Sequence, residues 1–260
     1  MSTPARAAAD MIGALDRLGP AETAVVLGRD FFAVADIAEQ ATSIPYADLP
    51  GFPPVAGGEL TLGLVEGSPM LFFRGRSEFY ASGDPSLMSG AFETLSHLGV
   101  RAVLSTGTVN STNADILPPS LLSVSDHINF TGLNPLIGAA GDNFVNMNAA
   151  YDKRLMRRLK QSSAAAGVSL SEGVMMWCSG PSFETPAETK VARQLGADAL
   201  GMSIAPEAIL ARRFALPFAG VAVVTDYAAG FCNGNPSHDP TRSAGLVALR
   251  RLLRAFQKNK

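Results

Sequence analysis

The chain has 260 residues, 47% of them hydrophobic and 17% charged, with a mean hydropathy of +0.17; this excludes a disordered protein and leaves room for a large core. Lys and Arg total 21 against 23 Asp and Glu, a net charge of −2, so no electrostatic footprint points to nucleic acid or anionic lipid. Two cysteines, Cys178 and Cys232, and three scattered histidines, His97, His127 and His238, exclude a disulfide framework and offer no metal-ligand spacing.

The N-terminal stretch carries charges every few residues and has no apolar h-region, and no apolar run reaches the length of a membrane span. The expectation is a soluble, cytoplasmic protein. Residues 4–18 read as an amphipathic helix with Thr3 as N-cap and Pro4 at its first position. Short apolar runs at 23–28, 59–66, 69–74, 101–106, 121–126, 174–179, 199–204 and 218–225 read as strands, the second and third joined as a hairpin through Gly67-Ser68. Helical periodicity falls between them at 87–98 and 148–166. It returns through Ala187, Val191 and Leu195, where Gly196 ends the helix, then at 208–214 and along Leu246, Leu249, Leu253 and Phe256. This alternation predicts one α/β domain over 1–260, three-layered, with a central, largely parallel mixed sheet flanked by helices. In such folds ligands sit beyond the carboxyl ends of strands.

Four strand ends carry polar residues. In Phe72-Phe73-Arg74-Gly75-Arg76-Ser77-Glu78-Phe79-Tyr80 an apolar strand runs into a glycine and an arginine suited to phosphate or carboxylate; a solvated surface loop is the plainer alternative. Ser105-Thr106-Gly107-Thr108-Val109-Asn110-Ser111 can offer backbone N–H groups to an anion, or be an ordinary turn. In Cys178-Ser179-Gly180-Pro181-Ser182-Phe183-Glu184-Thr185 the aromatic can stack on a planar heterocycle while Glu184 accepts a ring N–H. Alternatively, Glu184 merely complements a helix N-terminus. Finally, Val223-Val224-Thr225-Asp226-Tyr227 ends a wholly apolar strand in a carboxylate.

The run from Ser179 to Glu188, followed by Leu195-Gly196-Ala197-Asp198-Ala199-Leu200-Gly201-Met202-Ser203-Ile204-Ala205-Pro206-Glu207, resembles the trimeric purine nucleoside phosphorylase family, which includes methylthioadenosine phosphorylases. Asp126-His127-Ile128-Asn129 with Asn134-Pro135-Leu136, the Gly75-Arg76 segment and Thr225-Asp226 extend the resemblance in the same order over about residues 22–256. It implies a phosphorylase/hydrolase-like fold with a distorted, partly barrel-like sheet. The implied activity is phosphorolysis of a purine nucleoside to free base and pentose 1-phosphate, a pentosyl transfer in purine salvage. Inorganic phosphate is then a co-substrate, no metal or organic cofactor is needed, and the assembly is a homotrimer in which Phe144 lies in the segment that closes a neighbour's site.

The resemblance also implies residue roles. Phe183 packs on the base, Glu184 holds a ring N–H, and Asp226, after Thr225, contacts the six-substituent and the leaving nitrogen. Tyr80 and Met202 surround the sugar, Leu200 belongs to the base and ribose site, and His238 lies near the 5′-hydroxyl. Glu184, Asp226 and His238 form the catalytic set, and Arg76, Thr108, Ser203 and Arg29 the phosphate set. Glu184 with Asp226 leaves 6-oxopurine against 6-aminopurine open, and the sugar likewise. The departures gather around phosphate: Gly28-Arg29-Asp30 replaces a small hydroxyl residue between glycines, Glu78 stands where the family has histidine, and the 107–111 turn is altered. A carboxylate ~4 Å from phosphate costs about 4 kcal/mol at an effective dielectric of about 20, roughly a thousandfold in affinity. A hydrolase in which Glu78 orients water, and a non-catalytic purine or nucleoside binder, are therefore kept as alternatives.

Overall fold

The computed structural model describes residues 3–15, 17–141, 143–232 and 238–259, the side chains of 238–240 excepted. The elements are α1 (Pro4–Leu15), β1 (Thr23–Val26), β2 (Glu39–Pro45), β3 (Glu59–Val65), β4 (Ser68–Arg74), α2 (Phe79–Ser82), α3 (Ser89–His97), β5 (Ala102–Ser111), β6 (Ser120–Asn129), α4 (Lys153–Ala166), β7 (Leu170–Trp177), α5 (Pro186–Gln194), β8 (Ala199–Gly201), α6 (Ala205–Arg213), β9 (Phe218–Tyr227) and α7 (His238–Lys258). A 3-10 segment, Arg29–Ile37, follows β1.

The nine strands among the described residues join one mixed sheet in the order β2-β3-β4-β1-β5-β8-β7-β6-β9, and β9 pairs back onto β5. Strands β5, β8, β7, β6 and β9 therefore close a ring, while β2, β3, β4 and β1 extend from it as an open sheet. Around β1 the pairing is parallel on both sides, to β4 and β5. The hairpin expected at Gly67-Ser68 is the antiparallel β3–β4 pair.

Alternation along each strand divides the core between two faces. Ala24 and Val26 join a cluster with Ala8 and Ile12 of α1, Phe92 and Leu95 of α3 and Ile209 of α6. Val25 and Leu27 join the opposite cluster, with Leu155 and Leu159 of α4 and Leu249, Leu253 and Phe256 of α7. The sheet is thus the middle of three layers.

The helix ends follow local chemistry. Arg6 N–H donates to Thr3 Oγ1 at 3.3 Å, as an N-cap requires. The helix expected over 148–166 starts at Lys153, because the Asp152 carboxylate accepts from Arg154 and Leu155 N–H and fixes the first turn there. Thr185 and Glu188 form a reciprocal capping box at α5, which places the preceding Phe183-Glu184 immediately outside the helix.

Candidate active site

A cavity of about 340 Å³ opens where β1, β4, β8 and β9 end and β5 passes beneath. Part of its wall is built for a flat, partly apolar ligand: Phe183, Leu200 and Met202 are on it, with Glu184, Asn110 and Thr225 as polar points. The other part is ionic, with Arg29, Asp30, Glu78 and Arg242 on the wall beside Gly107, Thr108 and Ser203. Tyr80 also lines it.

Glu184 is half-buried, and its Oε1 is buried with no hydrogen-bond partner among the described residues. A buried carboxylate oxygen without a donor is costly unless a ligand supplies one. The Cys178 thiol is pushed well up by burial and then by the charge of the neighbouring Glu184 carboxylate. It therefore stays a neutral donor.

The ionic part is organised around Arg76. Gly75 has φ +151° and approaches Gly58 so closely that a Cβ would lie 3.0 Å from its Cα; that conformation turns the chain inward after β4. Arg76 is consequently buried, its side chain 2% exposed. Its Nε lies 2.8 Å from Glu207 Oε1, its Nη1 lies 3.6 Å from Glu78 Oε1, and its Nη2 donates to the Thr106 carbonyl. Burial alone would lower the guanidinium pKa, but Glu207 and then Glu78 hold it above its ordinary value. The Glu78 carboxyl is pushed up to about 7 by burial, against the pull of Arg76 and with Glu207 adding to the rise. Across the wall, Arg242 Nη1 pairs with Asp30 at 3.3 Å, while Arg242 Nε is buried without a hydrogen-bond partner among the described residues.

Two backbone features place the small residues. Ile204 is held at φ 71°, ψ −48°, and Ala205 N–H donates to the Ser203 carbonyl at 2.9 Å. This is a γ-turn of the strained hand, adopted by a buried β-branched residue next to Ser203 of the cavity wall. Ser203 thereby sits so near β5 that a Cβ on Gly107 would meet its Oγ at 2.5 Å. On β9 the register with β5 passes from Val224↔Val109 to Asp226↔Asn110, leaving Thr225 as the bulged residue. Thr225 reaches the cavity wall, with its Oγ1 3.4 Å from Asn110 Oδ1.

Of the residues expected from the sequence, Arg29, Tyr80, Thr108, Phe183, Glu184, Leu200, Met202, Ser203 and Thr225 line this one cavity. Arg76 lies behind the wall, committed to Glu207 and Glu78. Asp226 is 9% exposed, is not on the wall, and accepts the Tyr227 N–H on Oδ1 at 2.7 Å. The His238 side chain lies outside the described residues. Glu207, Asn110 and Arg242 were not anticipated. Glu207 sits at the third position of a helix beginning Ala-Pro, where an acid reads simply as a complement to the helix dipole. Arg242 meets Asp30 across 212 residues of sequence, a distance no local pattern reveals.

The sequence profile of the phosphorylase superfamily matches residues 22–257. Purine nucleoside phosphorylase 1 of Geobacillus stearothermophilus is 36% identical over 223 residues, 83% of this chain and 81% of that protein. The purine nucleoside phosphorylase of Mycobacterium tuberculosis is 34% identical over 253 residues, 95% and 92% of the two chains. In fold, the purine nucleoside phosphorylase of Schistosoma mansoni in complex with inosine superposes with a TM-score of 0.89 at 24% identity, over 98% of this chain and 95% of that one. The chain belongs to the phosphorylase superfamily and, within it, to the purine nucleoside phosphorylase family.

Proposed function

We propose that the protein is a pentosyltransferase that cleaves the N-glycosidic bond of a purine nucleoside with inorganic phosphate, giving free base and pentose 1-phosphate. The observation that carries this reading is Glu184 Oε1, a buried acceptor on the cavity wall with no donor of its own. A purine ring N–H supplies that donor, with Phe183 packed on the ring and Met202, Leu200 and Tyr80 around the sugar. The assignment agrees with the relatives' names.

The bond breaks toward the base while the anomeric carbon becomes oxocarbenium-like, so catalysis requires stabilising negative charge on the departing purine. Glu184 orients the ring by accepting its N–H; as an acceptor it does not stabilise the departing charge, which falls to the neutral donors on the same wall, Asn110 and Thr225. Asp226, assigned to the purine by family resemblance, stands behind the wall with Oδ1 holding the Tyr227 N–H, and reaches the base only where its side chain turns into the cavity. His238 belongs to the 5′-hydroxyl by family resemblance. Phosphate is held by Ser203 and Thr108 on the neutral side and by Arg29 on the charged side, and Arg76 acts through the network behind them. The proposal needs no metal or organic cofactor.

It extends to a cytoplasmic homotrimer. The exposed Phe130, Ile137 and Phe144, the last 98% exposed, supply apolar surface for a neighbour, and no described helix is long and apolar enough to cross a membrane.

One observation favours a second reading. Glu78, with a carboxyl pushed up to about 7, has the proton affinity of a general base at neutral pH, and water in place of phosphate would make the protein a nucleoside hydrolase. Base release from inosine, guanosine, adenosine and methylthioadenosine, each with and without phosphate, separates the two. Release that requires phosphate supports the phosphorylase, and equal release without it supports the hydrolase. Absence of release with retained purine binding leaves a binder. The substrate ranking assigns the base and sugar preferences that Glu184 and Asp226 leave open.

A further inference from the structure

The ionic part of the cavity is balanced in an unusual way for an anion site. Three arginines, Arg29, Arg76 and Arg242, face three carboxylates, Asp30, Glu78 and Glu207. Arg242 is engaged by Asp30 at 3.3 Å and Arg76 by Glu207 at 2.8 Å. With every carboxylate ionised, the cluster carries no surplus positive charge to attract a dianion. The carboxylate that breaks the tie is Glu78, the one on the wall whose side chain is 11% exposed.

An ionised carboxylate is an acceptor only, and so is a fully ionised oxyanion. The two repel unless a proton lies between them, in which case they form a short, charge-assisted hydrogen bond. Resting on the phosphorylase reading above, we infer that Glu78 shares one proton with the bound oxyanion, making this a subsite that selects phosphate or arsenate, which carry an ionisable O–H, over sulfate, which has none, once Glu78 itself has lost its proton.

The surroundings of Glu78 support this from every side. Arg76 after β4 and Arg29 after β1 pull its proton off, whereas Glu207 on α6 and Asp30 after β1 hold it on. Burial is the largest influence and holds it on, to about 7. Tyr80 on α2 is itself pushed up by burial and then by Glu78, so its phenol stays a neutral donor. An arriving anion adds negative charge beside Glu78 and raises its proton affinity further. The substitution of a carboxylate for the family's histidine therefore changes which anion fits and need not abolish the site.

The test is competition by sulfate against phosphate in the base-release assay, from about pH 6 to about pH 8, with one titrating proton setting the slope. In the wild type, the preference for phosphate over sulfate rises about tenfold per pH unit above about pH 7, because sulfate binds only when Glu78 is protonated. In Glu78→Gln the amide donates to either anion, so the preference becomes flat with pH and sulfate inhibits roughly tenfold more strongly at about pH 8. A wild-type preference that does not change with pH, or one that Glu78→Gln leaves intact, overturns the inference while phosphate-dependent release still stands. Calorimetric titration of the wild-type protein with inorganic phosphate and with sodium sulfate reads the same selectivity without turnover. Rejection of sulfate that grows between about pH 6 and about pH 8 there supports the shared proton even if release proves independent of phosphate, and equal binding of the two anions at about pH 8 overturns it.

Discussion

Replacing Glu207 by Gln isolates the Arg76 network. The substitution keeps the side chain's shape and removes one charge from a pair 2.8 Å apart whose side chains are 2% and 3% exposed. Breaking a buried ion pair by deleting one partner costs about 3–5 kcal/mol, since the remaining charge is left in the interior. For a chain of this size that corresponds to a fall in Tm on the order of 10 °C. The loss should itself depend on pH, because Glu78 stands 3.6 Å from Arg76 on the other side. In the wild type the Glu78 carboxyl is held up to about 7. The stability tied to its protonation is fully present below its unfolded pKa and is lost as pH rises through about 7. Without Glu207, the arginine turns its whole attraction on Glu78, whose pKa falls, and an ionised Glu78 partly takes over as partner. Glu207→Gln should therefore be most destabilising near pH 5, where Glu78 is protonated in wild type and variant alike, and least so near pH 8. Thermal and urea unfolding at the two pH values measure this. A loss under about 1 kcal/mol at both values, or a loss larger at high pH, refutes the assignment of Glu78 and Glu207 as competing partners of one arginine.

Three other expectations follow from single contacts. Glu184→Gln should lower kcat/KM roughly 10- to 150-fold, the worth of a charged hydrogen bond at about 1.5–3 kcal/mol, with Tm unchanged or higher because it takes the charge off a carboxylate whose buried Oε1 has no donor among the described residues; unchanged turnover contradicts its role. Gly107→Ala sets a Cβ 2.5 Å from Ser203 Oγ and should destabilise by about 1–3 kcal/mol. The double variant with Ser203→Ala should recover most of that loss in unfolding experiments, and failure to recover it places the clash elsewhere. Iodoacetamide at neutral pH should label exposed Cys232 before Cys178, whose thiol burial and Glu184 keep protonated; peptide mass spectrometry reads the order.

The parts of the fold that could be read from sequence are those whose apolar runs announce burial on both faces. Strand β1, with all of Thr23–Val26 buried, and β9, buried over nearly its whole length, are of this kind. Strand β2 escapes because Glu39–Pro45 is an exposed strand at one end of the sheet, with no buried residue to set a period. The extensions of β5 to Ser111 and β6 to Asn129 are equally silent, since small polar residues continue a strand only because a neighbour pairs with them. The closure of β9 onto β5 is a long-range pairing that the family resemblance implied as a partly barrel-like sheet and that periodicity alone does not carry.

The site divides the same way. Phe183 and Glu184 are legible because the chain leaves an apolar strand, turns through Gly180-Pro181 and presents them before a capped helix. Thr225 and Asp226 were legible as a strand end, but which of the two meets the cavity is decided by a bulge against β5 that no strand pattern encodes. Glu78 was visible as a departure from the family, whereas its meaning depends on Glu207, which stands about half of the chain away in sequence.

The most direct test is phosphorus NMR of the wild-type protein with inorganic phosphate and whichever of the four purine nucleosides releases its base fastest. The expected result is loss of the phosphate signal and growth of a pentose 1-phosphate signal in step with release of the free base. Release of the base with the phosphate signal unchanged would contradict phosphorolysis and make water the nucleophile.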